Sequence, residues 1–442
     1  MTALCNACMI AGVNGKTNVM KSPVRLLVSL AGVFSLFLFL CGCRKDNRQS
    51  YTYQVYSPVI VSKAEFAGSI NGDPSQHVEN AGRFYLAGDY IFMNEVDKGI
   101  HVIDNRMPSR PRQVAFLNIP GNQGMVVKGK TLLADMYDYL ISIDISDVKN
   151  ARLTSVMPNF FQGRNLAYSG DTTRIAIGYT VKDTTVYYDE NTPRWYNDCA
   201  ICPYTLSNSS GYQKTAPSGV AGSMAGMIVM NDYLYAISNP GTLGIVDVSK
   251  PETPVLKSLF PAGFNLETVF PLHDKLFLGG NTGMFIYSVN DPENPEKLGE
   301  FVHGFACDPV IADGNTAYVT LHTGSVCGGA LNELNAVNIA DLKNPMLIKS
   351  YPMTSPKGLS KDGDLLFVCD GDSGVKLFDA SDPAEIVLKT TINIRDSYDV
   401  IARNGLLIVV TDDGLYQYDY SDIDHIVRLG VIAAPHKKIP VL

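Results

Sequence analysis

The chain has 442 residues, 46% of them hydrophobic and 10% aromatic, with 36 basic and 44 acidic side chains and a formal net charge of −8. An acidic chain with no lysine or arginine stripe is a poor nucleic-acid binder, so that class of partner is set aside. The length would serve two or three domains unless repeats fill it, so periodicity is settled before domains are counted.

In chain order, residues 1–42 carry Lys16, Lys21 and Arg25 and no acid. From Leu26 to Cys41 the chain is almost wholly apolar (LLVSLAGVFSLFLFLC). A basic opening followed by a short apolar stretch is an export-signal pattern, and the stretch is short for a membrane span. Met20 offers a second start, because MKSPVRLL is a more ordinary signal opening than MTALCNAC. The segment ends Leu40-Cys41-Gly42-Cys43, which resembles the lipobox of bacterial lipoproteins. That resemblance implies removal of residues 1–42 and a diacylglycerol on Cys43, the new N-terminus. Acyl chains would hold the protein on a membrane without a spanning helix, at about 0.8 kcal/mol per buried methylene. The competing reading is a plain transmembrane anchor with Cys43 incidental. Loss of residues 1–42 leaves 33 basic and 44 acidic residues, a net charge of −11. Residues 43–77 then form a lipidated tether and N-terminal segment, and the expected address is the bacterial envelope, on either side of an outer membrane.

Beyond the tether one phrase recurs: GIHVIDNRMPSRP, LISIDISDVKNA, LGIVDVSKPETP, MFIYSVNDPENP, LNAVNIADLKNP, VKLFDASDPAEI and LYQYDYSDIDHI. Its anchor falls at Asp104, Asp144, Asp247, Ser288, Asn338, Asp379 and Asp419, spaced by 40, 103, 41, 50, 41 and 40 residues. The gap of 103 holds two periods and a remainder, and TTVYYDE supplies a degenerate anchor at Asp189. The count is therefore eight units, or seven if the degenerate unit is an elaborated loop. Each unit reads as four short strands. In the last, turns at Asn404-Gly405 and Asp413-Gly414 separate a strand from LLIVVT and LLIVVT from LYQYDY. Asn-Gly and Asp-Gly suit hairpins because their central residues accept positive φ. The anchor carboxylate can accept turn amides, and a proline fixes φ on the way to the outer strand. Four-stranded units at a period near 40 residues predict an all-β, radial β-propeller over residues 78–433, with a tail at 434–442.

The phrases LGIVDVSKP, KGIHVIDNRMPSRP, GMFIYSVNDPENP, CDPVIADGNTAYVTL and DDGLYQYDYSD resemble the LVIVD-repeat family, most closely its Bacteroidetes-type β-propeller lipoproteins. The resemblance spans residues 50–432 and implies an exported propeller, with no established biochemical role attached; the ring is expected to be monomeric.

Chemistry-bearing residues are sparse. Cys307 opens an inner strand and Cys327 lies in the loop after the next strand, two positions that share one propeller face; Cys199 and Cys202 form CAIC inside an insertion at residues 190–215. In an oxidising envelope both pairs are candidate disulfides. A zinc set of His303, Cys307, His322 and Cys327 is the weaker alternative, since no zinc-ribbon turn surrounds them. Cys369 ends an apolar strand and reads as core. Loops after the second strands carry Asp97, Asp135, Asp138, Asp370, Asp372, Asp412 and Asp413, while Glu267, Asp308 and Asp399 lead into inner strands on the same face. The plain reading is solvated turn aspartates; the sharper one is an anionic mouth for a divalent cation or basic partner. No cofactor motif, GxSxG elbow, Walker loop or HExxH occurs, and the seven histidines are scattered. The leading expectation is a lipid-anchored binding module for a protein or glycan, with Trp195 and Tyr196 as aromatic contacts. The rivals are an envelope hydrolase or lyase working at the acidic mouth, and a structural scaffold of an outer-membrane complex.

Overall fold

The computed structural model describes residues 48–74, 76–162, 173–189, 223–304, 309–322 and 331–434. They divide into two units. The smaller comprises, among the described residues, 48–55 and 182–189: one half of a two-stranded sheet in which Arg48–Ser62 pairs with Arg174–Asp189. Within it Thr52 and Thr185 share a hydroxyl hydrogen bond of 2.9 Å.

The larger unit contains seven antiparallel blades of four consecutive strands laid down in chain order, the first of them extended to five strands by Asn71–Gly72. Blade 1 spans residues 81–118, blade 2 125–157, blade 3 227–261, blade 4 266–302, blade 5 310–352, blade 6 359–392 and blade 7 399–433. First strands of successive blades touch one another from blade 1 to blade 7, so the first strand of each blade is innermost. Most apolar clusters bridge adjacent blades. One joins Tyr235, Leu243 and Ile245 of blade 3 to Leu276, Leu278 and Tyr287 of blade 4, and another joins Phe277 and Ile286 of blade 4 to Val310, Val319 and Val337 of blade 5. A single blade is too thin to bury its own faces, so the ring is the unit of stability.

Among the described residues there are seven blades, the alternative count, and no eighth. The inner strands of blades 2 and 3 are in direct contact, and Lys128 Nζ bonds Asn231 O at 2.8 Å and Asp232 Oδ1 at 2.6 Å. The segment around Asp189 instead runs as a single 16-residue strand, Arg174–Asp189. Every hairpin between first and second strands contains a positive-φ residue: Gly88, Gly129, Asn231, His273, Gly314, Gly363, and Asn404 with Gly405. Nothing between Arg174 and Asp189 takes positive φ, so the chain there does not turn back into a blade.

The recurring phrase is a turn device. In all seven blades the anchor accepts the amide two residues on: Asp104 from Arg106, Asp144 from Ser146, Asp247 from Ser249, Ser288 from Asn290, Asn338 from Ala340, Asp379 from Ser381 and Asp419 from Ser421, at 2.9–3.3 Å. Five of these corners add a second aspartate that accepts the amide two residues on (Asp147, Asp291, Asp341, Asp382 and Asp422), and Asp341 takes Lys343 N at 3.0 Å and Asn344 Nδ2 at 2.8 Å. Beyond the corner every outer strand carries a bulge against its third strand, which strengthens its twist and blunts the exposed edge.

No strand is exchanged where the ring closes. Blade 7 and blade 1 meet through Tyr398, Ile401, Ile408, Val410 and Leu415 against Ala81, Phe84, Ile91, Met93 and Ile103. The Tyr398 hydroxyl donates to Ala81 O, and Gln417 Nε2 donates to Asn105 Oδ1 at 2.7 Å. On the other side of blade 1, Asn71–Gly72 pairs with the outer strand at Leu117 and Phe116.

Candidate site at the mouth of the propeller channel

Inner strands begin at the end of the ring where second strands finish. Aligned by strand register, the residue at the head of the seven inner strands is Arg83, Gly124, Gly226, Thr268, Pro309, Gly358 and Asp399. Five of the seven are small or cyclic, and the two charged ones come from the neighbouring blades 1 and 7. Blade 4 adds Glu267 one residue earlier. Both Arg83 and Glu267 lie at register shifts, between Ala81 and Phe84 and between Leu266 and Thr268. A bulge re-aims a side chain that regular pairing would bury between blades.

Arg83 is the charge that acts on both acids. It reaches past blade 2 to the wall of blade 3: a Cβ added to Gly226 would stand 2.6 Å from Arg83 Nη1. Burial is the larger influence on each acid. It pushes the Glu267 carboxyl up to about 7, and Arg83 offsets only part of that. Asp399 is fully buried and is pushed well above the usual carboxylate range, against the opposing effects of the Val400 amide and Arg83. Its Oδ1 accepts from Val400 N at 3.0 Å, while Oδ2 has no hydrogen-bond partner among the described residues. Gly358 leaves room for this carboxyl, since a Cβ there would lie 2.4 Å from Asp399 Oδ1.

The other acids of the same end divide into two kinds. Asp370 is buried, paired with Lys376, and takes the amides of Thr354 at 3.0 Å and Ser355 at 2.7 Å. Asp135 does the same for Gln123 and Gly124, at 2.7 and 2.8 Å, and Glu95 for Glu79 and Asn80, at 3.0 and 2.8 Å. A carboxylate at the end of a second strand thus clamps the loop that enters its own inner strand, and these acids face inward. Asp138 is likewise buried, and Asp413 accepts from Thr411 and from the Tyr416 hydroxyl. Asp97, Asp372 and Asp412 are exposed. Asp372 lies 3.7 Å from Arg395 and bonds Asp396, whose carboxyl is raised by burial and then by that neighbour.

Of the residues singled out from sequence, Glu267 and Asp399 converge on Arg83, whereas Asp370 is a loop clamp and Asp372 and Asp412 lie in the surrounding rim. Cys43, Trp195, Tyr196, Cys199, Cys202, Cys307, Asp308 and Cys327 lie outside the described residues. Cys369 is a free, fully buried thiol, raised by its burial. Arg83 escaped the sequence reading, which aligned the repeats on their third strands. Aligning on the first hairpin would have exposed it as the one cation in a column of small residues. The buried pair of Glu95 and His101, 3.2 Å apart, also escaped it.

Seven four-stranded sheets closed through their inner strands make this protein a β-propeller. The LVIVD repeat model matches residues 221–260, essentially blade 3, so the propeller carries the LVIVD repeat. No curated protein sequence matches the chain. Among solved structures it is similar to the computationally designed Ika8 protein, with 10% identity and a TM-score of 0.49 over 81% of this chain and 90% of that one. It is similar to BamB from Moraxella catarrhalis, with 8% identity and a TM-score of 0.45 over 82% and 97% of the two chains. Against PorZ of Porphyromonas gingivalis the identity is 11% and the TM-score 0.46, with 81% of this chain covered; the match spans only 38% of PorZ.

Proposed function

We propose that the protein is a binding module of the bacterial envelope, held to the outer membrane by lipid on Cys43, that receives a protein or glycan at the channel mouth. The observation that carries this reading is that Arg83 of blade 1 acts on Glu267 of blade 4 and Asp399 of blade 7, at an end whose other inner-strand heads are small or cyclic. The anchor aspartates are engaged in corners and Glu95, Asp135 and Asp370 in loop clamps, whereas Glu267 and Asp399 serve neither purpose. Trp195 and Tyr196 of the insertion are proposed as accessory contacts on the partner. Crosslinking from native envelopes tests the idea, comparing the intact protein with Arg83→Ala and with a form lacking residues 190–215. A stoichiometric partner recovered by the intact protein and lost in either variant supports it. Equal recovery by all three, or no partner at all, overturns it.

A second reading, an envelope hydrolase or lyase, is favoured by Glu267, whose carboxyl is held at about 7, in the working range of a general acid or base. Glu267→Gln should then abolish turnover of an envelope glycan while leaving its binding intact. Loss of binding and turnover together returns Glu267 to a recognition role.

A further inference from the structure

We infer that a cleft on the outer flank of blade 1 is a second binding site, separate from the channel mouth, and that it takes a neutral sugar unit. This goes beyond the reading given above and does not depend on it.

The cleft exists because blade 1, alone among the described blades, has a fifth strand. Asn71–Gly72 pairs with the outer strand at Leu117 and Phe116, and Asn118 N donates to Ile70 O at 2.5 Å. Gly72 permits that approach, since a Cβ there would lie 2.8 Å from the Phe116 ring. Four residues on, Gln76 O accepts from Gln113 Nε2 at 3.0 Å, so this crossing segment is pinned on both sides of its bend. The facing wall is the turn between the second and third strands. There Asp97 is held in the left-handed region, at φ 63°. Its amide donates to Asn122 O at 3.0 Å, and its carbonyl accepts from Gly121 N at 2.8 Å. Between the two walls lies a cleft of about 360 Å³, lined also by Lys98, Asn118 and Pro120. That volume falls near the lower end of the about 300–1,000 Å³ of small-molecule sites, which suits a compact unit better than a length of polypeptide.

The lining chooses the kind of ligand. Asp97 and Lys98 stand side by side with opposite charges, and Lys98 Nζ is already paired with Glu79 at 2.5 Å. A cation entering the cleft meets Lys98 and an anion meets Asp97, so neither sign of charge is favoured. Gln76 contributes an amide that both donates and accepts, as does Asn118, whose Nδ2 also reaches Ser69 O at 3.3 Å. Groups that donate and accept at once match this mixture, and sugar hydroxyls are such groups. Gly72, Phe116 and Pro120 add apolar surface for the C–H faces of a sugar ring. Because both walls are fixed by backbone hydrogen bonds, little is left to order on binding.

Saturation-transfer NMR on the full chain, in a detergent without a sugar headgroup, tests the site. The probes are glucose, galactose, mannose and N-acetylglucosamine, with glucuronate and glucosamine as the anionic and cationic comparators. At least one neutral sugar should bind saturably, and more tightly than either charged one. Asp97→Gly keeps the left-handed turn while removing the carboxylate, and should weaken that sugar about tenfold. Gln76→Ala keeps the carbonyl that Gln113 uses and removes only the side-chain amide, so it is an independent variant that leaves the segment in place. Weaker binding in either variant, with Arg83→Ala at the channel mouth unchanged, supports the cleft.

Absence of saturable binding by any neutral sugar, tighter binding of a charged one, or parent-like affinity in both cleft variants would overturn it. If Arg83→Ala abolishes sugar binding and both cleft variants retain it, the sugar sits at the channel mouth: the cleft falls and the binding module stands. If the cleft variants lose the sugar and no envelope partner is recovered, the cleft stands and the channel-mouth reading falls.

Discussion

Glu267 and Asp399 each hold their proton more tightly in the folded protein than an exposed carboxyl would, and this has a stability consequence with a definite sign. When both folded and unfolded chains are protonated, at low pH, neither acid costs anything. As pH rises past the unfolded value near 4.5 the unfolded chain ionises first, and stability falls until Glu267 itself ionises near 7. For Glu267 alone the loss across that window is at most about 3 kcal/mol. Glu267→Gln should therefore flatten the decline between pH 4.5 and 7, read as urea unfolding at several pH values; a parallel decline in parent and variant would contradict this. The glycine walls give a paired expectation. Gly226→Ala meets only the flexible end of Arg83, so it should cost less than about 1 kcal/mol while raising the Glu267 titration further. Gly358→Ala meets Tyr398 O at 2.8 Å and the Asp399 backbone at 2.9 Å, and should cost about 1–3 kcal/mol in thermal unfolding.

Within each blade, the elements are tied by polar contacts placed where the polypeptide changes direction. Tyr351, on the outer strand of blade 5, donates to Pro383 O at 2.8 Å and accepts from Ile386 N at 3.0 Å, clamping the corner of blade 6. Tyr351→Phe leaves that amide without its acceptor and should cost about 1–3 kcal/mol by chemical denaturation. The corners and hairpins were legible in the sequence because each is local: an anchor oxygen two residues before the amide it caps, and Gly or Asn where φ must be positive. The same local logic overcounted the blades at Asp189. An anchor-like acid was present there, but the turn residues that fold a blade were not, and strand pairing with Arg48–Ser62 took the segment instead.

For the whole ring, closure is the distinctive feature. Among the described residues no strand crosses from blade 7 to blade 1, and the seam is held by side-chain packing together with hydrogen bonds from Tyr398 to Ala81 O and from Gln417 to Asn105. Phe84→Ala at this seam and Phe277→Ala between blades 4 and 5 should each cost about 3–5 kcal/mol. Their hydrogen-exchange patterns should differ. The seam variant should loosen both terminal blades together, and the interior variant should leave that seam protected. Identical exchange maps would show that the seam is no weaker than any other interface. If Cys43 carries lipid, Cys43→Ala should abolish incorporation of labelled palmitate seen in the parent; an unlabelled parent would favour a plain anchor.

What the sequence alone determined is what short-range chemistry controls: four strands per unit, corner caps, hairpin turns, and a radial array built from them. It also marked Glu267 and Asp399 as acids at the head of inner strands, since that placement follows from counting along each unit. Tertiary structure decided the blade number, because a candidate unit becomes a blade only if neighbours accept both its faces. It also brought Arg83 to those two acids, through bulges and contacts between blades far apart in the chain. Hydrogen bonds to the entering loops then set Glu95, Asp135 and Asp370 apart from Glu267 and Asp399, a distinction of tertiary contact that no local spacing encodes.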